Sequence, residues 1–188
     1  MIFTETRLKG AFVVELEKHE DYRGFFARSY CAREFAEHGL ITDISQCNIA
    51  GTKHKGTIRG LHYQISPYEE VKFTRCVRGG VFDVIVDLRK GSPTFGQYEA
   101  VELTADNFKA LYVPENFAHG YMSLTDDVVF TYQVSRPYSP ESERCIRWDD
   151  PDINIRWPEM EKYIVSDKDS NSPYMRELFK EGKNIDIH

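Results

Sequence analysis

Val81-Phe82-Asp83-Val84-Ile85-Val86-Asp87 is the stretch on which the fold turns. Its apolar residues are β-branched or aromatic, and its two aspartates fall on one side of a period-two alternation. The segment therefore reads as a strand with a polar face and a greasy face. Such a strand suits the wall of a barrel whose interior is wet on one side. Comparable short runs lie at residues 11–16, 73–77, 98–103, 110–113, 120–124 and 128–134. Turns such as Arg78-Gly79-Gly80 and Thr125-Asp126-Asp127 separate them. This rhythm predicts a mainly β chain, an antiparallel sandwich or jelly roll. Helices are expected only at residues 32–38, stopping at Gly39, and in a short piece at residues 174–181. With no internal repeat, linker or low-complexity tract, one domain is expected over residues 1–188.

A chain of 188 residues buries a core without staples, and its 41% hydrophobic content excludes a disordered protein. The net charge of −6 is built from interspersed charges of both signs, without a basic run. That argues against a nucleic-acid partner and leaves room for a local cationic pocket around one anionic ligand. Cys31, Cys47, Cys76 and Cys145 form no CxxC pair, so reduced thiols in a cytoplasmic protein are expected. The first residues lack the pattern of a signal peptide, and no run approaches the ~18 apolar residues that span a bilayer. A soluble protein with no membrane partner is expected.

Chemistry enters at Arg59-Gly60-Leu61-His62-Tyr63-Gln64, followed ten residues after the histidine by Lys72. The spacing predicts a base and a cation on adjoining strands. That pair suits removal of a proton from carbon next to a carbonyl, because the resulting enolate needs a positive partner. Arg59 and Lys72 would favour a neutral imidazole, and such a base requires a carboxylate to fix its tautomer. Taken singly, the other candidates have plainer readings. His62 alone is more often a structural histidine, Tyr132 a core residue, Tyr138 a packing residue in a turn and Asp169 a solvated loop charge.

Pro114-Glu115-Asn116-Phe117-Ala118-His119 resembles the second half of the cupin signature, Pro-x-Asn-x-x-His. The first half departs from a metal-binding cupin, since His62 is followed two residues on by Gln64 instead of a second histidine. A carboxamide is a poor substitute for imidazole on a transition metal. The expectation is a cupin-like fold without a metal.

The chain as a whole resembles the nucleotide-sugar 3,5-epimerases typified by dTDP-4-dehydrorhamnose 3,5-epimerase. The resemblance is carried by Asp21-Tyr22-Arg23-Gly24-Phe25-Phe26, Gln46-Cys47-Asn48, the Arg59–Gln64 stretch and the 81–87 strand. It continues through Gly91-Ser92-Pro93-Thr94-Phe95-Gly96, Phe117-Ala118-His119-Gly120, Ile146-Arg147-Trp148-Asp149-Asp150-Pro151 and Ser166-Asp167-Lys168-Asp169. The resemblance implies a jelly-roll homodimer that uses neither metal nor organic cofactor. Its catalytic residues would be His62 as base, Asp169 as the carboxylate orienting it, Lys72 at the enolate oxygen and Tyr132 as acid across the ring. Arg23, Phe26, Gln46, Asn48, Arg59, His119 and Tyr138 match positions around a nucleoside diphosphate and its sugar. The implied activity is epimerisation at C3, C5 or both of a nucleotide-linked 4-keto-6-deoxyhexose, in deoxysugar synthesis.

Two positions depart from the family pattern. Arg28 stands where a glutamate is usual near the nucleotide, and Glu70 where a glutamine is usual two residues before the lysine. Arg28 turns an acceptor into a donor, which would suit cytosine N3 better than the N3–H of thymine. A dTDP sugar remains the default, with a C3-only or C5-only epimerase on another base, such as CDP, as the alternative. A cupin metalloenzyme and a non-catalytic sugar-binding cupin are the more distant readings.

Overall fold

The computed structural model describes residues 1–179 and contains fourteen strands and three short helices among them. One sheet has six strands: β1 (Ile2–Glu5), β2 (Phe12–Glu15), β5 (Gln46–Thr52), β7 (Lys72–Arg78), β10 (Lys109–Val113) and β12 (Val128–Val134). Their order is β1-β2-β10-β7-β12-β5, antiparallel throughout. The facing sheet runs β13-β6-β11-β8-β9, from β6 (Thr57–Gln64), β8 (Gly80–Asp87), β9 (Tyr98–Thr104), β11 (Phe117–Ser123) and β13 (Glu143–Cys145). The two-residue β14 (Ile164–Val165) adds to β6 in parallel. A separate hairpin, β3 (Lys18–Asp21) with β4 (Gly24–Ala27), stands apart from both sheets. Every strand expected from sequence is found, with bounds that differ by a few residues. The helices are α1 (Ala32–Glu37), α2 (Asp167–Ser170) and α3 (Met175–Leu178). The expected last helix begins near its predicted start and stops at Leu178, and the part of the expectation at residues 180–181 lies outside the described residues.

The 81–87 strand differs from its sequence reading in one respect. It is β8, and both of its faces are dry. Val81 and Ile85 point between the sheets with Leu103, Leu111, Val113, Phe117 and Phe130. Val84 and Val86 face the opposite way, where they pack with Leu61 and Ala118 of the same sheet under Ile146, Ile153 and Met175 from the C-terminal segment. Coverage on both sides explains why the run is so nearly continuous in apolar residues. The aspartates share the inward face, and each is fully buried with its charge satisfied. Asp83 accepts from Thr74 Oγ1 (2.7 Å) and pairs with His119 Nε2 (2.6 Å). Asp87 accepts from Arg89, Ser92 Oγ and Thr94 Oγ1 at 2.6–3.0 Å. A buried carboxylate is tolerable only with donors of this kind around it. A third core, under α1, packs Phe35 against Val14, Phe73 and Tyr112 on the outside of the six-stranded sheet.

Between β6 and β11 the register slips: His62 pairs with His119, but Arg59 pairs with Tyr121, so three steps on one strand oppose two on the other. In a regular strand Arg59 and His62, three apart, would point to opposite faces. The bulge resets the pleat and turns both towards the space between the sheets. Its cause is a close approach of two glycines. A Cβ on Gly60, whose φ is +128°, would lie 2.6 Å from Gly120 Cα and 2.9 Å from the His119 carbonyl oxygen.

Gly60→Ala is expected to lower stability by roughly 3 kcal/mol, through strain and backbone overlap. Gly51→Ala, on open surface in the neighbouring sheet, should stay within about 0.5 kcal/mol. Urea unfolding of the two variants checks this, and equal midpoints would contradict the packing account. Acid stability gives a second test. Burial works to raise Asp87, but the Arg89, Ser92 and Thr94 donors outweigh it and hold the carboxyl down at about 2. Its stabilisation is therefore present above the unfolded value of about 4 and lost as pH falls through about 2. Asp87→Asn should flatten the melting-temperature curve over that interval.

Candidate active site

The inward faces of the two sheets leave a cavity of 510 Å³ at one end of the sandwich. Arg59, His62, His119 and Tyr121 line it from one sheet, Ala50, Lys72, Phe130 and Tyr132 from the other. A polar lobe of 340 Å³ shares His62, Lys72 and Tyr132 with it and adds Gln46, Asn48, Gln64, Glu70, Tyr138 and Glu143. The volume suits a small organic ligand held by a few placed polar groups.

His62 sits on β6 with its Nε2 2.8 Å from Asp169 Oδ1. An ionised carboxylate can only accept, so Nε2 carries the proton and Nδ1 keeps the lone pair that a base requires. Asp169 is anything but a solvated loop charge: it is 4% exposed. Ser166 caps α2 by accepting from the Asp169 amide, and the carboxylate also accepts from the Gly60 amide (3.2 Å). Burial works to raise Asp169, but the His62 hydrogen bond and charge, with the Gly60 and Ser166 bonds, bring it below the usual carboxylate range. The pair is thus a fixed base–carboxylate unit.

Lys72 does not lie on a strand adjoining β6, as its proximity in sequence suggests. It opens β7 in the opposite sheet and reaches across, so that Nζ stands 3.4 Å from the His62 carbonyl oxygen and 3.2 Å from Glu70 Oε1. The connection between β6 and β7 crosses from one sheet to the other, which sequence distance does not reveal. Tyr132 lies on β12, beside β7, so its phenol and the His62 imidazole reach the shared cavity from opposite sheets. Burial raises the Tyr132 hydroxyl above its ordinary value, the Glu70 charge adds to that, and Arg59 opposes it.

Arg59 is anchored through Nε to Thr52 Oγ1 (3.2 Å) and through Nη2 to the Gly51 carbonyl (3.2 Å). His119 is held by Asp83 as described. Of the polar positions of the cupin pattern, His62 is paired with Asp169 and His119 with Asp83. The Gln64 carboxamide is spent on the backbone of Tyr68, Pro137 and Ser139. Cys145 lies near His62 and Asp169, but burial pushes its thiol up to about 12, so it is protonated and donates towards Asp169.

Gln46 and Asn48 line the polar lobe from β5, and the Gln46 carboxamide accepts from the Tyr138 amide (3.0 Å). Arg23, Phe26 and Arg28 do not line the cavity within one chain. The first two belong to the projecting β3–β4 hairpin, where Arg23 pairs with Asp21 and Phe26 is 64% exposed. Arg28 follows the hairpin, 3.8 Å from Glu34. Sequence reasoning passed over Tyr121, Phe130, Glu143 and Lys168 as lining groups. The aromatics read as core, and the charged pair, 2.6 Å apart, reads as unrelated loop charges until the fold joins β13 to α2.

Comparison with known proteins agrees with this geometry. The family pattern described as dTDP-4-dehydrorhamnose 3,5-epimerase matches residues 5–177. The enzyme of that name from Shigella flexneri is 44% identical over 168 residues, 89% of this chain and 92% of its own. The crystal structure of the Elizabethkingia anophelis protein superposes with a TM-score of 0.91 at 38% identity, covering 94% of this chain and 97% of that one. The Legionella pneumophila protein, solved in complex with dTDP-4-keto-L-rhamnose, gives a TM-score of 0.87 at 38% identity and covers 92% of each chain. The sandwich is thus the cupin-like jelly roll of these enzymes, and this chain belongs to the dTDP-4-dehydrorhamnose 3,5-epimerase family of isomerases.

Proposed function

We propose that the chain inverts C3 and C5 of a dTDP-linked 4-keto-6-deoxyhexose, converting dTDP-4-keto-6-deoxyglucose to dTDP-4-dehydrorhamnose. One observation carries this reading: an Asp169-backed His62 and a protonated Tyr132 enter one cavity from opposite sheets, with Lys72 alongside. His62 Nδ1 takes the proton from carbon next to the ketone, and the C–H electron pair moves towards the carbonyl. The ketone becomes an enolate whose oxygen faces the Lys72 ammonium. Tyr132 then donates its proton to the other face of the same carbon, and the ketone re-forms with the centre inverted. Imidazolium and phenolate return to their resting states by proton exchange with water. A single base would tend to restore the starting configuration, so the opposed acid is what separates epimerisation from simple exchange. Each placed acid or base is worth ~10²–10⁴ in rate, and the ammonium contributes about as much as an oxyanion-hole donor. No step calls for a redox partner or Lewis acid, and EDTA is expected to leave the rate unchanged.

The supporting experiment is incubation with dTDP-4-keto-6-deoxyglucose in D₂O, with deuterium located by mass and NMR. The expected result is label at C3 and C5; label at C3 alone would assign a C3-only enzyme. His62→Ala should abolish exchange, and Tyr132→Phe should retain exchange while losing inversion. Full epimerisation by either variant would overturn these roles. For the base, dTDP is expected to bind more tightly than CDP, UDP or GDP. Tightest binding of CDP, lost in Arg28→Glu, would transfer the assignment to cytosine.

We also propose that the enzyme is a cytoplasmic homodimer in which the β3–β4 hairpin of one copy supplies Arg23 and Phe26 to the cavity of the other. Four unpaired cysteines suit a reducing compartment. The hairpin exposes Tyr22 (97%), Phe25 (57%) and Phe26 (64%), and the outer face of the six-stranded sheet exposes Ile49 (73%). On that same face Arg75 Nε and Gln133 Oε1 are buried without a hydrogen-bond partner among the described residues. Apolar surface beside unsatisfied polar atoms is what a docked partner would cover. Sedimentation should give a dimer that Phe26→Asp weakens together with activity. A fully active monomer would refute the arrangement.

A further inference from the structure

Glu70 has no place in the proton transfers proposed above, yet its carboxylate is set among the groups that perform them. It lines the polar lobe with His62, Lys72 and Tyr132. Its Oε1 is 3.2 Å from Lys72 Nζ, and both side chains are only 11% exposed. The other acceptor within hydrogen-bonding reach of Nζ, among the described residues, is the His62 carbonyl oxygen at 3.4 Å. The remaining buried acids of this region are committed elsewhere, Asp169 to His62 and Asp83 to His119.

We infer that Glu70 is a positioning residue for this reaction: it anchors the Lys72 ammonium beside the reacting carbonyl and keeps negative charge near the Tyr132 phenol. The inference rests on the proposed epimerase reading. Two physical arguments support it. A lysine side chain is a flexible stem ending in a point charge, and the strongest charge brought to this cavity is the substrate's diphosphate. Where the family usually carries a neutral glutamine, this chain gives the ammonium a charged anchor that opposes the pull of the diphosphate. A carboxylate held at 3.2 Å supplies that anchor before substrate arrives. The second argument concerns the acid. The titratable groups that line the cavity and its lobe with Tyr132 are Glu70 and Lys72 from its own side, Arg59, His62, Tyr63, His119, Tyr121 and Glu143 from the facing sheet, and Tyr138, Lys168 and Asp169 from the segments beyond. Of these, Arg59 favours phenolate and Glu70 opposes it, while burial adds to the opposition. A phenolate cannot donate a proton to carbon, so a negative neighbour preserves the competent form as pH rises.

The sign follows directly: replacing the Glu70 carboxylate by a neutral amide makes phenolate easier to form, so the Tyr132 titration must move to lower pH. The test uses full-length wild type, Glu70→Gln and Glu70→Asp. Steady-state kinetics on dTDP-4-keto-6-deoxyglucose are expected to show kcat for Glu70→Gln reduced about tenfold, on the scale of one misplaced electrostatic contact, with KM changed less than about twofold. The basic limb of the kcat profile should shift to lower pH, and Glu70→Asp should recover part of both effects. Tyrosine labelled with ¹³C at Cζ gives a readout that needs no substrate. The Tyr132 resonance, assigned by its loss in Tyr132→Phe, should titrate at lower pH in Glu70→Gln than in wild type. An unchanged Tyr132 titration, or a higher KM with unchanged kcat, would overturn the inference. If wild type leaves this sugar untouched, the proposed reaction falls, and the Tyr132 titration still decides the inference.

Discussion

The Asp169 carboxylate ties the site together. One oxygen accepts from His62 Nε2 and the other from the Gly60 amide, so a single buried group fixes both the base and the bulge that aims it. A regular β6 would send Arg59 and His62 to opposite faces; the Gly60–Gly120 approach brings them to one. The C-terminal segment carrying Asp169 also covers the outer face of β8. Core packing and catalytic geometry therefore rest on the same piece of chain, and loosening that segment would expose apolar surface as well as release the base.

The sandwich divides the labour between its sheets. The sheet bearing β6 and β11 presents the cationic and imidazole groups, and the other presents the ammonium and the phenol. That division follows from the chemistry of inversion, because a ring attacked from both faces must lie between two walls. A facing pair of sheets about 10 Å apart provides such walls without further construction. Buried carboxylates then set the state of each group: Asp169 holds the His62 tautomer, Asp83 holds His119 and Glu70 pairs with Lys72. Each pairing is strengthened by the low dielectric of its partly buried surroundings, and each is satisfied.

The strands that sequence reading found are those with apolar runs, such as β8 and β12. Among those it passed over at the site, β5 reads Gln46-Cys47-Asn48-Ile49-Ala50-Gly51-Thr52 and has no such run. Its inward positions Gln46, Asn48 and Thr52 are polar, the first two lining the lobe, so the usual alternation is reversed: Ile49 is 73% exposed while Thr52 is 2% exposed. A site-lining strand is hard to read for this very reason. Asp169 was misleading in the same manner, since four polar residues in a row look like solvent-facing loop until their partners, more than 100 positions away, are known.

What the sequence determined by itself was the β character, carried by period-two runs and turn residues, and the inventory of groups, carried by motif order. Both are local properties, written in the chemistry of neighbouring residues. Tertiary structure alone decided that Lys72 crosses from the opposite sheet, that Asp83 and Asp87 are buried in a dry interior, and that Arg23 and Phe26 stand outside their own chain's cavity. Each of these depends on which strands face one another. That is settled by burying apolar surface from distant parts of the chain and satisfying every charge buried with it, a condition no short stretch can express.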